Sequence, residues 1–174
     1  ISIRNDINKL FYAMYCCEIV TNFGTENDLN SEEIYNLFYT FLDCISRAET
    51  KVQAMLCVLR FQLKIMNITG YSIELTKCVK CQKQPGAEDI YFASAHGGIL
   101  CGDCSNDIVK KVRIHNKITE FLHTLQTEDF KTHTRYDDLA TEKICDICMN
   151  LLKNYIEYYS PKPFKTPLIL ESVR

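Results

Sequence analysis

Four cysteines in two closely spaced pairs constrain this chain more than any other feature of its sequence. Two residues separate Cys78 from Cys81, two separate Cys101 from Cys104, and 19 residues lie between the pairs. A C-x2-C pair places two thiolates on one tight turn, and a hairpin between two pairs brings all four sulfurs to one metal ion. The pattern therefore predicts a four-cysteine zinc site built from two knuckles and a β-hairpin.

This ligand set predicts a structural Zn²⁺ ion. Four cysteines fill the whole tetrahedron, so no position stays open for water or substrate. The alternatives are two disulfides or four unrelated thiols. Against disulfides, Cys16, Cys17, Cys44 and Cys57 lie among apolar residues at helical spacing, where reduced cysteines behave as small buried residues. We therefore expect a reducing cytoplasm.

Apolar residues at intervals of three and four predict helices on both sides of the cysteine pairs. In the first helix the predicted buried stripe is Ile7, Leu10, Phe11, Met14, Cys17 and Ile19. Asn30 and Glu33 resemble a capping box for the second helix, and Gly70 is placed to end the third. The predicted helices span residues 6–21, 31–46, 50–68, 105–112, 116–125 and 139–159.

Residues 71–105 lose the helical period and predict an inserted module. The segments IYFAS and GILC read as two short strands of a hairpin around His96. Three prolines at positions 161, 163 and 167 predict an extended tail over residues 160–174. The expected fold class is mainly α: one helical bundle domain over residues 1–174 with an inserted module of four-cysteine zinc knuckles and a β-hairpin.

Charge is divided unevenly along the chain, although the formal net charge is only −2. Residues 1–50 hold 3 basic and 8 acidic side chains, whereas residues 75–117 hold 7 basic and 4 acidic ones. The basic run could contact phosphates, or it could be a solvated surface. Its members are Lys110, Lys111, Arg113 and Lys117, with Lys77, Lys80 and Lys83 in the first knuckle.

Other sequence features weigh against catalysis and against a membrane protein. Cys145 and Cys148 form a third C-x-x-C pair, but Cys148 lies on the apolar stripe of a helix, which favours buried thiols over a redox site. His96 could be a metal ligand, but four cysteines already fill the tetrahedron, which favours a turn residue.

No run of about 18 apolar residues occurs, so no membrane span is expected. Ile1 at the start suggests a fragment or processed product.

Four segments in order resemble the bacterial RecO family of DNA repair and recombination proteins. They are LFYAMYCCEIV, VLRFQLKIMNITGYSIELTKCVKC, FASAHGGILCGDC and NYIEYYSPKPFKT. The resemblance covers nearly the whole chain and implies the helical region that follows the family's N-terminal OB-fold, which is absent from this sequence. It also implies that the zinc is structural.

The resemblance further implies a non-enzymatic mediator in the bacterial cytoplasm, associated with the nucleoid. Such proteins bind single- and double-stranded DNA, anneal complementary strands, bind the acidic C-terminal tail of single-stranded DNA-binding protein and, with RecR, help to load RecA. We expect Arg60, Phe61 and Lys64 to dock the acidic tail, since a cation beside an apolar groove suits that ligand. Alternatively, Phe61 is a core residue and Arg60 is merely exposed.

Two other functions remain open from the sequence. One is a thiol redox enzyme that uses Cys145 and Cys148, which requires an exposed thiol of low pKa. The other is a zinc-stabilised protein-interaction module that does not bind DNA.

Overall fold

The computed structural model describes residues 3–24, 29–86, 89–130 and 140–166. Within these ranges the chain is mainly helical with one small sheet, which confirms the predicted fold class. No described helix is both long enough and apolar enough to cross a membrane. The elements are α1 (Ile7–Phe23), α2 (Ser31–Arg47), α3 (Lys51–Ile68), β1 (Ile90–Ala93), β2 (Gly98–Cys101), α4 (Gly102–Ser105), β3 (Val112–Ile114), α5 (Asn116–Thr127) and α6 (Glu142–Tyr159).

Helix α3 lies at the centre and packs against α1, α2, α5 and α6. It begins at a capping box, in which the Thr50 hydroxyl accepts the Gln53 N–H and the Gln53 side chain accepts the Thr50 N–H. Its last helical residue is Ile68, and the chain turns away at Gly70, whose φ of +85° is in the left-handed region. The Tyr71 N–H then donates to the Met66 carbonyl at 2.7 Å, the bond of a Schellman motif. The predicted stop at Gly70 is confirmed.

Helix α1 buries a face that matches the predicted one only in part: Phe11 and Ile19 are buried as predicted. Ile7, Met14 and Cys17 are exposed, whereas Lys9 is buried. The Lys9 ammonium donates to the carbonyls of Ser46 and Ala48 at the end of α2, where cations are favoured. Because α1 is apolar around most of its circumference, hydrophobic spacing alone identified its inner face only in part. Its buried apolar residues are Phe11, Tyr15, Cys16, Ile19 and Phe23.

The predicted capping box at the start of α2 is wrong. Asn30 occupies the N-cap position, but its side chain makes no capping hydrogen bond. Its amide instead donates to the Ile68 carbonyl at 3.1 Å. This bond ties the start of α2 to the end of α3.

The sheet contains three antiparallel strands in the order β2-β1-β3. The predicted hairpin is confirmed, since Tyr91 lies opposite Leu100 and Ala93 opposite Gly98. The helix predicted over residues 105–112 is wrong. The four-residue helix α4 comes first, and β3 begins at Val112 because this β-branched segment extends the sheet along β1.

Side-chain alternation gives the sheet two different faces. Ile90, Phe92 and Ile99 point into the main core with the helices, and the Phe92 ring lies 5.8 Å from that of Tyr155 in α6. Leu100 belongs instead to a smaller cluster with Cys78 and Ala93. One face of the sheet therefore joins the helical core, and the other supports the cysteine site.

The C-terminal strap, residues 160–166, crosses α1. Phe164 is buried, and its ring centroid lies 5.6 Å from that of Tyr15. The Glu18 carboxylate accepts the backbone N–H of Lys165 at 2.7 Å and that of Thr166 at 2.9 Å. The rest of the predicted tail lies outside the described residues.

Candidate metal centre and basic surface

The first cysteine pair lies on a closed knuckle that is fixed to the sheet. The Gln82 N–H donates to the Cys78 carbonyl at 2.8 Å, and the Cys78 N–H donates to the Lys83 carbonyl at 2.9 Å. Gln82 has a φ of +62°, a left-handed conformation that closes the turn. The Val79 N–H donates to the Ile99 carbonyl at 2.9 Å. The knuckle is thus held directly against β2.

The second pair reaches the first because of two glycines at the start of β2. Gly97 has a φ of +78°, which glycine adopts without steric cost. At Gly98 an added Cβ would lie 2.3 Å from the Glu74 carbonyl oxygen, so only glycine lets that backbone pass. Strand β2 then brings Cys101 to the site, and α4 turns Cys104 back towards it.

The four sulfurs match the dimensions of a tetrahedral zinc site. All four Sγ atoms lie within 4.8 Å of one another, and the Sγ atoms of Cys81 and Cys101 are 3.8 Å apart. A tetrahedron with Zn–S distances of about 2.3 Å has sulfurs about 3.8 Å apart. A disulfide would require about 2.05 Å. The donor set fits Zn²⁺, and the clustering argues against four unrelated thiols.

The local electrostatics also favour a cation at this point. Burial raises the pKa of Cys78, but backbone N–H groups of Cys81, Cys101 and Lys80 donate to its sulfur and lower the pKa to about 6. The pKa of Cys104 is raised to about 12, first by its hydrogen bond to Cys101 and then by desolvation. Several thiolates cannot share this site without a compensating charge. A divalent cation held by the four cysteines would supply that charge and favour the thiolate form of its ligands.

His96 lies on the 3-10 turn between β1 and β2 and is exposed. It is not part of the four-residue cluster of potential metal ligands. The structure thus agrees with its interpretation as a turn residue.

The predicted basic run divides into two kinds of residue. The Lys111 ammonium lies 5.0 Å from the centroid of the Tyr91 ring and donates to the Ser105 carbonyl, so it holds the loop before β3 onto the sheet. Arg113 forms an exposed ion pair with Asp89 at 3.5 Å. In contrast, the remaining lysines of this run are exposed: Lys77, Lys80, Lys83, Lys110 and Lys117. Tyr91 was not singled out from the sequence as a partner of Lys111. Its alternation with Ile90 and Phe92 was the one signal that its ring lies on the sheet face away from the helical core.

The residues predicted to dock an acidic tail lie largely inside the fold. Phe61 is fully buried, and its ring centroid is 4.9 Å from that of Phe41. Arg60 is also buried. The half-buried Lys64 donates to the Glu128 carbonyl at 2.6 Å at the end of α5, and burial lowers its pKa. In this conformation Phe61 stabilises the core and presents no surface to a partner.

The third cysteine pair is buried within α6. Cys145 and Cys148 are both fully buried, and burial, followed by the charge of Cys145, raises the pKa of Cys148 to about 12. A thiol of high pKa without access to solvent is a poor nucleophile. The structure agrees with the interpretation as core cysteines. The same interpretation is wrong for Cys17, which is exposed on α1.

The family model for the C-terminal region of recombination protein O matches residues 4–167. A DNA repair protein RecO from Desulforamulus reducens is 30% identical over 166 residues, which cover 94% of this chain and 61% of the relative. Another, from Dehalococcoides mccartyi, is 25% identical over 174 residues, which cover 100% of this chain and 66% of the relative.

A third relative of that name, from Clostridium acetobutylicum, is 31% identical over 106 residues, which cover 59% of this chain and 40% of the relative. The chain spans about three fifths of the length of the first of these relatives. The match of the family model extends from before α1 to the C-terminal strap. This chain therefore belongs to the RecO C-terminal family.

Proposed function

We propose that this chain is the partner-binding region of a DNA repair and recombination mediator. In this role it binds single- and double-stranded DNA, the acidic tail of single-stranded DNA-binding protein and RecR, and it promotes strand annealing and RecA loading in the bacterial cytoplasm, at the nucleoid. The observation that carries the proposal is the family match over residues 4–167, with relatives named for DNA repair. The role is one of binding, without catalysis.

We further propose that Cys78, Cys81, Cys101 and Cys104 hold a structural Zn²⁺ ion. The four Sγ atoms lie within 4.8 Å of one another, and those of Cys81 and Cys101 are 3.8 Å apart, the separation expected in a zinc tetrahedron. A closed ligand set leaves no position for substrate, so the ion contributes to the stability of the knuckles and the sheet. In this proposal the metal acts on function by fixing the first knuckle, which carries Lys77, Lys80 and Lys83.

DNA binding is assigned to the exposed lysines, which we call the lysine surface: Lys77, Lys80, Lys83, Lys110 and Lys117. Three of them lie on the first knuckle, within seven residues of sequence, and are exposed. Lysines placed this way neutralise phosphates independently of base sequence. Lys111 and Arg113 contribute less in this proposal, since Tyr91 and Asp89 already engage them.

Fluorescence anisotropy with a labelled single-stranded oligonucleotide tests the lysine surface. Replacing Lys80, Lys83 and Lys110 by glutamine should weaken binding and reduce the slope of log affinity against log salt by about 0.7 for each phosphate that is no longer neutralised. Lys143→Gln, an exposed lysine at the start of α6, is the matched control. An unchanged salt slope in the triple variant, or a loss of DNA affinity in Lys143→Gln as large as that in the triple variant, would contradict the assignment.

Binding of the acidic tail rests on the family alone. The structure buries Phe61 and Arg60, so charge reversal at Arg60 would disturb the core as well as any docking site. A labelled acidic peptide that ends in phenylalanine, titrated at two salt concentrations, tests the activity without a variant. Absence of saturable binding at low salt would remove tail binding from the proposed function.

The two alternative functions predict different results in the same titrations. A thiol redox enzyme predicts neither DNA nor tail binding, and buried Cys145 and Cys148 give it no support. A plain interaction module predicts no DNA binding. Saturable, salt-sensitive binding of both ligands would distinguish the proposed mediator from each alternative.

A further inference from the structure

The four clustered cysteines differ in their access to solvent. Cys81 is exposed, whereas the other three are buried or half-buried: Cys78, Cys101 and Cys104. In the first knuckle Cys81 lies between two exposed lysines, Lys80 and Lys83. An exposed thiol in electropositive surroundings is the kind that oxidants attack first. Within the cluster, the sulfur of Cys81 is therefore the one that a dissolved oxidant reaches.

The sulfur of Cys101 is close enough to react with an oxidised Cys81. The two Sγ atoms are 3.8 Å apart, and they need to approach to about 2.05 Å to form a disulfide. Cys78 is less suited to this reaction, because it is fully buried and three backbone N–H groups donate to its sulfur. Redox-sensing cysteines commonly have a resolving thiol of this kind beside them.

We propose that Cys81 and Cys101 form a reversible, peroxide-sensitive pair whose oxidation releases the zinc ion. The inference rests on the zinc site of the proposed function. The Cys81 thiolate attacks hydrogen peroxide, the O–O bond breaks, and the departing hydroxide takes up a proton to become water, which leaves a sulfenic acid on Cys81. The Cys101 thiolate then attacks the Cys81 sulfur, forms the S–S bond and expels a second hydroxide, which also becomes water. Two electrons pass from the two sulfurs to one peroxide, and a thiol reductant reverses the reaction.

Oxidation of this pair removes two of the four ligands of the zinc ion. Cys78 and Cys104 alone leave half of the tetrahedron without a protein ligand, so the ion is no longer held. The first knuckle then loses the metal that fixes its turn, and with it the fixed positions of the lysines that it carries. The pair thereby makes the lysine surface sensitive to oxidants.

Zinc release and disulfide mapping test the pair in the unaltered chain. Elemental analysis comes first, since less than about half an equivalent of zinc would contradict the zinc site itself before any oxidant is added. Hydrogen peroxide should then release the zinc to a chromogenic chelator, and a thiol reductant with added Zn²⁺ should restore the bound metal. Peptide mapping without reduction should find a disulfide between Cys81 and Cys101. Zinc that is retained in peroxide, or a disulfide within one knuckle, would overturn the proposal.

Cys81→His separates the reactive sulfur from the metal ligand, because three cysteines and one histidine also bind zinc. We expect this variant to release its zinc several-fold more slowly in peroxide than the unaltered chain does. Cys17→Ser, at an exposed cysteine outside the cluster, is the matched control and should release zinc at the unaltered rate. Equal rates in Cys81→His and the unaltered chain would rule out the assigned pair. If Cys81→His carries no zinc, the disulfide map of the unaltered chain decides alone.

Discussion

At Gly98 the backbone of Glu74 passes so close that only a hydrogen fits in place of a side chain. An added Cβ would lie 2.3 Å from the Glu74 carbonyl oxygen and 2.9 Å from the Glu74 Cβ. The Ile99 N–H donates to the same carbonyl at 3.0 Å, so the contact belongs to the bridge that joins the segment before the first knuckle to β2. Local backbone approach at one residue therefore fixes the spacing of the two cysteine pairs.

Gly98→Ala should therefore lower the free energy of unfolding by about 1–3 kcal/mol, because the two backbones must separate. Gly86→Ala is the matched control, since nothing lies within 4 Å of an added Cβ there. Urea unfolding of the two variants and the unaltered chain measures the difference. Equal stability of the two variants would contradict the close approach at Gly98.

Cys148 provides a second residue-scale prediction. Since burial raises its pKa to about 12, the thiol stays protonated at neutral pH and shielded from solvent. We expect iodoacetamide at pH 7 to label the exposed Cys17 rapidly and to leave Cys145 and Cys148 unlabelled until the chain unfolds. Peptide mapping by mass spectrometry measures this. Labelling of Cys148 in the folded chain would support the alternative function of a thiol redox enzyme.

At the scale of elements, predictions succeeded where one local rule decided the outcome. Helix α3 is predictable because Thr50 and Gly70 mark its ends and apolar residues surround its axis. Strand β3 was missed because Val112 to Ile114 is short and is ordered by pairing with β1, a long-range contact that spacing does not reveal. The inner face of α1 was predicted only in part: Phe11 and Ile19 are buried as expected, but Lys9 is buried through bonds to the end of α2, a contact that the sequence of α1 does not reveal.

The hydrogen bonds between the C-terminal strap and Glu18 of α1 predict a pH-dependent contribution to stability. The pKa of Glu18 is lowered: burial raises it, but N–H donation from Thr166 and Lys165 outweighs that. A lowered folded-state pKa means that Glu18 stabilises the fold above its unfolded value of about 4.3, and that this contribution is lost as pH falls through the folded value.

Glu18→Gln should therefore cost about 1 kcal/mol at pH 7, an amount reduced from the usual charged hydrogen bond because solvent is near. The cost should shrink towards zero as pH falls below the folded pKa, where the native carboxylate is protonated. Urea unfolding at neutral and at acidic pH measures it, with exposed Glu49→Gln as the control. An equal cost at the two pH values would contradict a role for the Glu18 charge.

At the scale of the whole molecule, one apolar core connects the helices to the sheet, while the cysteine cluster lies on the sheet's other face. Ile73, Phe92 and Ile99 belong to the same core as α3 and α6. The helices hence have packing of their own that does not depend on the cysteine cluster. The positions of Lys77, Lys80 and Lys83, in contrast, depend on the turn of the first knuckle, which contains Cys78 and Cys81.

Removal of zinc should consequently affect DNA binding more than helix content. We expect a strong chelator to lower the affinity for single-stranded DNA while far-UV circular dichroism retains most of its helical signal. Readdition of Zn²⁺ should restore binding. Full affinity in the metal-free protein would show that the knuckles do not position the lysine surface.

The central claim is that the four cysteines hold one structural zinc ion, and elemental analysis tests it most directly. Protein purified without chelator should contain about one equivalent of zinc per chain, since the four sulfurs form one closed site. Cys104→Ser should lose most of that metal, whereas Cys17→Ser, at an exposed cysteine outside the cluster, should keep it. Less than about half an equivalent in the unaltered chain would contradict the account.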